Sequence, residues 1–269
     1  MTPTPEDLSN EDFDVKISDD DLVIHATLDR PDQKNAMNEN IMVGLNDVLD
    51  AADESEARLV VIRGAGGTFC SGGDLSEMSK LINAETQEYR EYLSSISNIM
   101  SKLRDTDALT LAVIEGYCLA GGMGVATSCD LVVADEEATF GTPEKDSGLF
   151  PMQVLAPIMR SVHQKKGMWM MFTGDKFGAE KADDIGLLSD VYGSEEFEDE
   201  VQDLIDDLVN ASPTGISMGK EAYYSQEDMA FDDSLDYLKE MFSLLVMSED
   251  TKEGLESMMM QQDPDWKKR

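Results

Sequence analysis

The sequence predicts an α/β protein in which strands alternate with helices around a parallel sheet. Three observations predict it. Short, wholly apolar runs at Leu59 to Ile62, Leu111 to Ile114 and Leu131 to Ala134 read as strands covered on both faces. Stretches between them carry apolar residues at helical spacing, as in Ile41, Met42, Leu45, Val48 and Leu49, or Tyr92, Ile96, Ile99 and Leu103. Glycine-rich turns join strand to helix twice, within residues 59–78 and again at Gly121, Gly122 and Gly124.

In chain order, the polar, proline-bearing lead-in MTPTPEDLSNEDFD reads as a frayed start rather than a secretion signal. Val15 to Ile17 and Leu22 to Leu28 read as strands around the turn Ser18 to Asp21. After the loop Arg30 to Asn35, Asn38 is suited to cap a helix running to about Ala52. Asp74 to Ile82 and Gln87 to Leu103 read as helices on either side of a break. The second apolar run leads into Gly116 and the glycine cluster, then a short helix, a strand at Asp130 to Ala134 and another at Ala138 to Phe140. Beyond Pro151, helices are expected at Met152 to Val162, Lys165 to Phe172 and Ala179 to Ile185, and a strand at Leu188 to Tyr192. From Glu195 onward the pattern is helical, over about 195–210, 213–225, 230–248 and 250–261. The chain thus divides at a core of residues 1–192 and a helical C-terminal region of residues 193–269.

The 269 residues hold 56 Asp and Glu against 21 Lys and Arg, a formal charge of −35. The acid is spread over helix faces such as 195–207 rather than gathered in a tail. Self-repulsion of that size destabilises a compact state unless salt screens it, so a cytoplasmic protein of a salt-accumulating, haloarchaeal-type microbe is expected. The charge argues against nucleic acid, whose phosphates require clustered cations. No apolar run approaches the roughly eighteen residues of a membrane span, so no membrane partner is expected. Cys70, Cys118 and Cys129 lack C-x-x-C spacing and read as reduced core residues.

Glycines packed at a strand-to-helix turn let another group approach the backbone, and free N–H groups there can hold an oxygen that gains negative charge. The same cluster also suits a tight helix–sheet packing turn. Other chemistries lack support. His25 sits inside a strand pattern, Ser71 and Ser128 lack a G-x-S-x-G context, and neither glycine cluster fits a nucleotide-binding fingerprint. No group of His, Cys and Asp has ligand spacing, so no metal is expected.

Three stretches decide between the readings. FCSGGDLSEM (69–78) resembles the F-x-x-G-x-D signature of the crotonase, or enoyl-CoA hydratase/isomerase, superfamily. EGYCLAGGMGVATSCDLVVADEEATFGTPE (115–144) is similar to that family's second signature, and RPDQKNAMN (30–38) to its early motif. The resemblance runs from about Phe13 to Tyr192 and implies a spiral of ββα units followed by helices that build trimers or dimers of trimers. It also implies an acyl-CoA thioester substrate, with coenzyme A as part of that substrate and no other cofactor.

Residue by residue, the resemblance places the two oxyanion N–H donors at Gly73 and Gly121. It lays coenzyme A along Gly73, Asp74, Leu75, Ser76, Gly121 and Gly122, with Lys34 and Ala36 nearby and Lys34 placed to meet a phosphate. Glu144, in Phe140-Gly141-Thr142-Pro143-Glu144, matches the family's second catalytic glutamate, whereas Gly124 stands where two-glutamate hydratases carry the first. Hydration needs a base for water, but a double-bond shift needs one carboxylate, so isomerisation in fatty-acid or related acyl-CoA metabolism is favoured slightly over hydration. Asp146 is a candidate second acid. A silent acyl-CoA-binding or scaffold protein, and a C–C bond-forming or decarboxylating enzyme, stay open. The acyl pocket floor is expected from Met78, Leu81, Tyr89, Tyr92, Met123, Phe150 and Met152.

Overall fold

The structure, a computed structural model, describes residues 4–80 and 85–266. Six strands form the main sheet: β1 (Phe13–Ile17), β2 (Val23–Leu28), β3 (Leu59–Gly64), β4 (Leu109–Ile114), β6 (Leu131–Asp135) and β9 (Asp190–Tyr192), adjacent in that order. β1 and β2 are an antiparallel hairpin with Val15 opposite Ala26, and every later pairing is parallel. A smaller sheet holds β5 (Tyr117–Leu119), β7 (Thr139–Gly141) and β8 (Phe177–Gly178). Single bridges Cys70↔Cys118 and Met37↔Gly73 carry that pairing toward the two glycine turns.

Strand alternation sends side chains to both faces, and both faces are covered. Ile24, Val60, Ile62, Ala112, Ile114 and Val132 face α2 (Glu39–Asp53) and α4 (Thr86–Asp105), which contribute Ile41, Leu45, Val48, Ile99 and Leu103. Val23, Leu59, Val61, Leu111, Val113 and Val133 form a second core under α9 (Phe197–Val209). That helix presents Phe197, Val201, Ile205 and Val209, spaced four apart, as one buried stripe. Asn38 caps α2, its side chain accepting from the Ile41 N–H, as its residue type predicts.

Past α9 come α10 (Pro213–Gln226), α11 (Phe231–Val246) and α12 (Glu249–Met260). Lys220 of α10 ties them to the body. Its buried ammonium donates to the carbonyls of Leu103 and Ala108 at 2.9 Å each and to Asp130 at 2.7 Å. Phe231, Phe242, Leu244, Met247 and Met258 to Met260 of this region stand exposed. The three cysteines are free and buried. Among the described residues no helix is long and apolar enough to cross a membrane, and no cluster of candidate ligands could hold a metal ion.

The expected helix from Asp74 is α3 (Leu75–Lys80), with Ile82 outside the described residues. The helix expected from Met152 begins at Leu155 and forms α6 (Leu155–Ser161), followed by α7 (Gln164–Thr173) and α8 (Ala179–Asp184). β5 and β8 have no counterpart in the sequence reading. With two or three residues each, they are too short to show a period.

Candidate active site

Two turns bring two backbone N–H groups together. In the first, the Met37 N–H donates to the Gly72 carbonyl at 2.8 Å and the Asp74 N–H to the Met37 carbonyl at 2.9 Å. Gly73 lies between these bonds, and its own N–H has no acceptor among the described residues. In the second, Ala120 holds φ 48° and ψ −121°, a left-handed backbone that an L-residue enters only at a cost in strain. It launches α5 (Gly121–Ala126), whose first N–H, that of Gly121, is likewise without a partner among the described residues.

The two turns pack closely against each other. A Cβ on Gly72, at φ 111°, would lie 2.8 Å from the Ala120 Cβ, and one on Gly121 would lie 2.5 Å from the Met37 Cε and 3.6 Å from the Gly73 nitrogen. The fixed clash is the one at Gly72, while at Gly121 a methyl would displace only the movable end of Met37; its place 3.6 Å from the Gly73 nitrogen sets the two unused donors side by side.

Glu144 stands in a 3₁₀ turn, Pro143–Ser147, after β7. Its Oε2 is buried without a hydrogen-bond partner among the described residues, and burial raises the carboxyl pKa above the ordinary glutamate value. Gly73, Gly121 and Glu144 line one cavity of about 380 Å³, walled otherwise by Leu75, Met78, Tyr89, Tyr92, Ile96, Phe150 and Met152, among others. Two larger hollows lie elsewhere, about 510 Å³ around Lys220 and about 810 Å³ along α12. Neither contains the paired N–H groups or Glu144.

The remaining expected site residues are spread around this cavity. Asp74 does not line it but builds the turn. Burial works against its charge, yet bonds from Ser76, Arg30 and the Ser76 and Glu77 N–H groups prevail and hold its pKa at about 2. Ser76 Oγ is spent on Asp74, the Ala36 carbonyl accepts from Arg30, and Gly122 backs onto Cys70. Exposed Lys34 places its ammonium 4.8 Å from the Tyr117 ring centroid. Lys176, which no sequence motif flagged, places its own 5.2 Å from the same centroid. Asp146 is exposed and off the cavity wall. Of the expected pocket floor, Met78, Tyr89, Tyr92, Phe150 and Met152 line the cavity. Met123 is instead buried in the core, its sulfur 3.2 Å from the Gly141 nitrogen, and Leu81 lies outside the described residues. His25 is half-buried in β2, away from the cavity, with its pKa lowered by burial and by Arg63 and Lys16.

The position of Gly124 is informative. A Cβ there would lie 2.5 Å from the Met100 Cε and 2.6 Å from the Val154 Cγ1. The space a side chain would enter is filled by apolar atoms of α4 and of the residue before α6.

The enoyl-CoA hydratase/isomerase family profile matches residues 19–269. A 2,3-dehydroadipyl-CoA hydratase of Escherichia coli is 29% identical over 255 residues, covering 94% of this chain and 98% of that protein. A peroxisomal delta(3,5)-delta(2,4)-dienoyl-CoA isomerase of Arabidopsis thaliana is 24% identical over 262 residues, covering 93% and 94%. Among solved structures, an enoyl-CoA hydratase of Mycobacterium smegmatis superposes with a TM-score of 0.90 at 24% identity, covering 96% and 99%. One from Shewanella pealeana gives 0.89 at 25%, covering 97% of each chain. The α/β core with its C-terminal helices is thus the crotonase fold, and the chain belongs to the enoyl-CoA hydratase/isomerase family.

Proposed function

We propose that the protein transforms an enoyl-CoA thioester by proton transfer through Glu144, with the thioester oxygen held by the Gly73 and Gly121 N–H groups. One observation carries the reading: a half-buried carboxylate, one of whose oxygens is buried without a partner among the described residues, shares a cavity with two N–H donors that have none there either. Proton loss at the carbon next to the thioester moves an electron pair onto the oxygen, where each donor contributes about 3–4 kcal/mol to the transition state. Burial fits Glu144 to the task by bringing its pKa nearer to working pH.

Double-bond isomerisation is the favoured reaction. Glu144 takes a proton from C2 of a 3-enoyl thioester and returns it at C4, so no water or second base is consumed. Met100 and Val154 fill the room next to Gly124, which supports this one-carboxylate course. The likeness to the E. coli 2,3-dehydroadipyl-CoA hydratase favours hydration as the second reading. That reading needs another base for water, and exposed Asp146 is poorly placed to supply it.

Lys34 and Lys176, neither in an ion pair among the described residues, supply positive charge for the phosphates of coenzyme A in a chain of charge −35. The exposed apolar side chains of α11 and α12 support assembly into a homotrimer or a dimer of trimers. The acidic surface supports work in a salty cytoplasm.

The test is incubation in high salt with 3-hexenoyl-CoA and, separately, crotonyl-CoA, using wild type and Glu144→Gln. Double-bond migration lost in the variant is the expected result. Hydroxyacyl product from crotonyl-CoA would instead establish hydration, and equal activity in both proteins would remove Glu144 from the reaction. Thioester binding without exchange of the C2 proton would mark a silent binder.

A further inference from the structure

A second buried oxygen on the cavity wall has no partner among the described residues: the hydroxyl of Tyr92 on α4. It stands 3.8 Å from where a Cβ on Gly73 would lie, beside the Met78 sulfur at 3.5 Å from the same point. The hydroxyl is therefore close to one of the two oxyanion donors. Gln153, a polar neighbour on the wall, is committed elsewhere, its Nε2 donating to the Leu93 carbonyl and the Ser97 hydroxyl. Burial, then the charges of Glu77 and Asp74, push the Tyr92 pKa up to about 12, so at working pH it is a neutral donor.

A thioester carbonyl oxygen has two lone-pair sites, and the Gly73 and Gly121 N–H groups suffice to fill both. The Tyr92 hydroxyl is thus left for a different oxygen. The negative charges of Asp74 and Glu77 that act on Tyr92 disfavour a carboxylate beside it. Resting on the acyl-CoA reading above, we infer that Tyr92 is a specificity-determining residue whose hydroxyl donates to an uncharged keto or hydroxyl oxygen on the acyl chain. The preferred substrates are oxygenated acyl thioesters rather than plain hydrocarbon ones.

Calorimetric titration in high salt with pentanoyl-CoA, 4-oxopentanoyl-CoA and glutaryl-CoA tests this, because none of the three carries a double bond to move. Wild type is expected to bind the 4-oxo compound about tenfold more tightly than pentanoyl-CoA, the scale of one hydrogen bond to a buried donor. Tyr92→Phe, which removes a hydroxyl bonded to nothing in the described protein, is expected to keep its melting temperature and erase the difference. Equal binding of the two by wild type, or a preference that survives in the variant, would overturn the inference. An equal loss for both ligands would also overturn it, by assigning the hydroxyl to the shared thioester oxygen. Tightest binding of glutaryl-CoA would overturn the choice of an uncharged acceptor. If pentanoyl-CoA itself does not bind, the acyl-CoA reading falls, an outcome distinct from the loss of selectivity alone.

Discussion

Replacing Gly124 by alanine sets two known effects against each other. Alanine in place of a helical glycine is worth about 0.5–1 kcal/mol in backbone entropy. Against it stands a methyl group that would lie 2.5 Å from the Met100 Cε, 2.6 Å from the Val154 Cγ1 and 3.3 Å from the Val154 Cβ. The methionine end can rotate away. Val154 is buried at 4% exposure, and its branch point cannot withdraw without moving the entry to α6. Overpacking of this kind costs about 1–3 kcal/mol, so Gly124→Ala is expected to destabilise by up to about 2 kcal/mol. In a Val154→Ala background the methyl has room, and the same substitution is expected to stabilise by about 0.5–1 kcal/mol. Denaturant unfolding of the four proteins at one fixed salt concentration measures both effects and their coupling. A stabilising Gly124→Ala in wild type, or an equal effect in both backgrounds, would show that the space beside Gly124 is open. The case against a water-activating carboxylate there would then be lost. By the same reasoning, Gly124→Glu alone is not expected to create hydratase activity, since it adds an unpaired carboxylate to an apolar, filled site.

Three further outcomes are expected. Isomerisation should rise with pH through a value above the ordinary glutamate range, because the base must be ionised and burial raises the Glu144 pKa; a flat profile would exclude it as the base. Asp74→Asn should cost about 2 kcal/mol near neutral pH, the linkage value of a pKa lowered from 3.8 to about 2. Because the folded-state pKa is depressed, that stability is present above the unfolded value and lost as pH falls through about 2, so unfolding curves of the two proteins should converge in acid. Finally, the unfolding midpoint should climb steeply with potassium chloride, and an insensitive midpoint would contradict the link between the −35 charge and salt.

Much of this molecule was legible in the sequence because its signals are long or chemically specific. Apolar runs gave β3, β4 and β6; stripes at helical spacing gave α2, α4 and α9; and Asn38 gave its cap. The motifs pointed to Gly73, Gly121 and Glu144, and the fold brings all three to one cavity. What stayed hidden depends on contacts between distant segments. Lys176 converges with Lys34 on Tyr117 only after β8 pairs with β7. Gly124 reads as a missing carboxylate, and only packing reveals the Met100 and Val154 atoms that replace it. The Ala120 backbone gave no warning either, since alanine is an unusual choice for a positive φ.

The late position of α9 also sets the order in which the protein can be finished. A ribosome releases the strands carrying Val23, Leu59, Val61, Leu111, Val113 and Val133 well before it makes Phe197 to Val209. Until then one whole apolar face of the sheet is uncovered, and the nascent chain is at its most prone to aggregate. Covering of that face thus waits on the synthesis of residues 197–209, and a chain cut after Tyr192 would keep every described strand yet leave that surface bare.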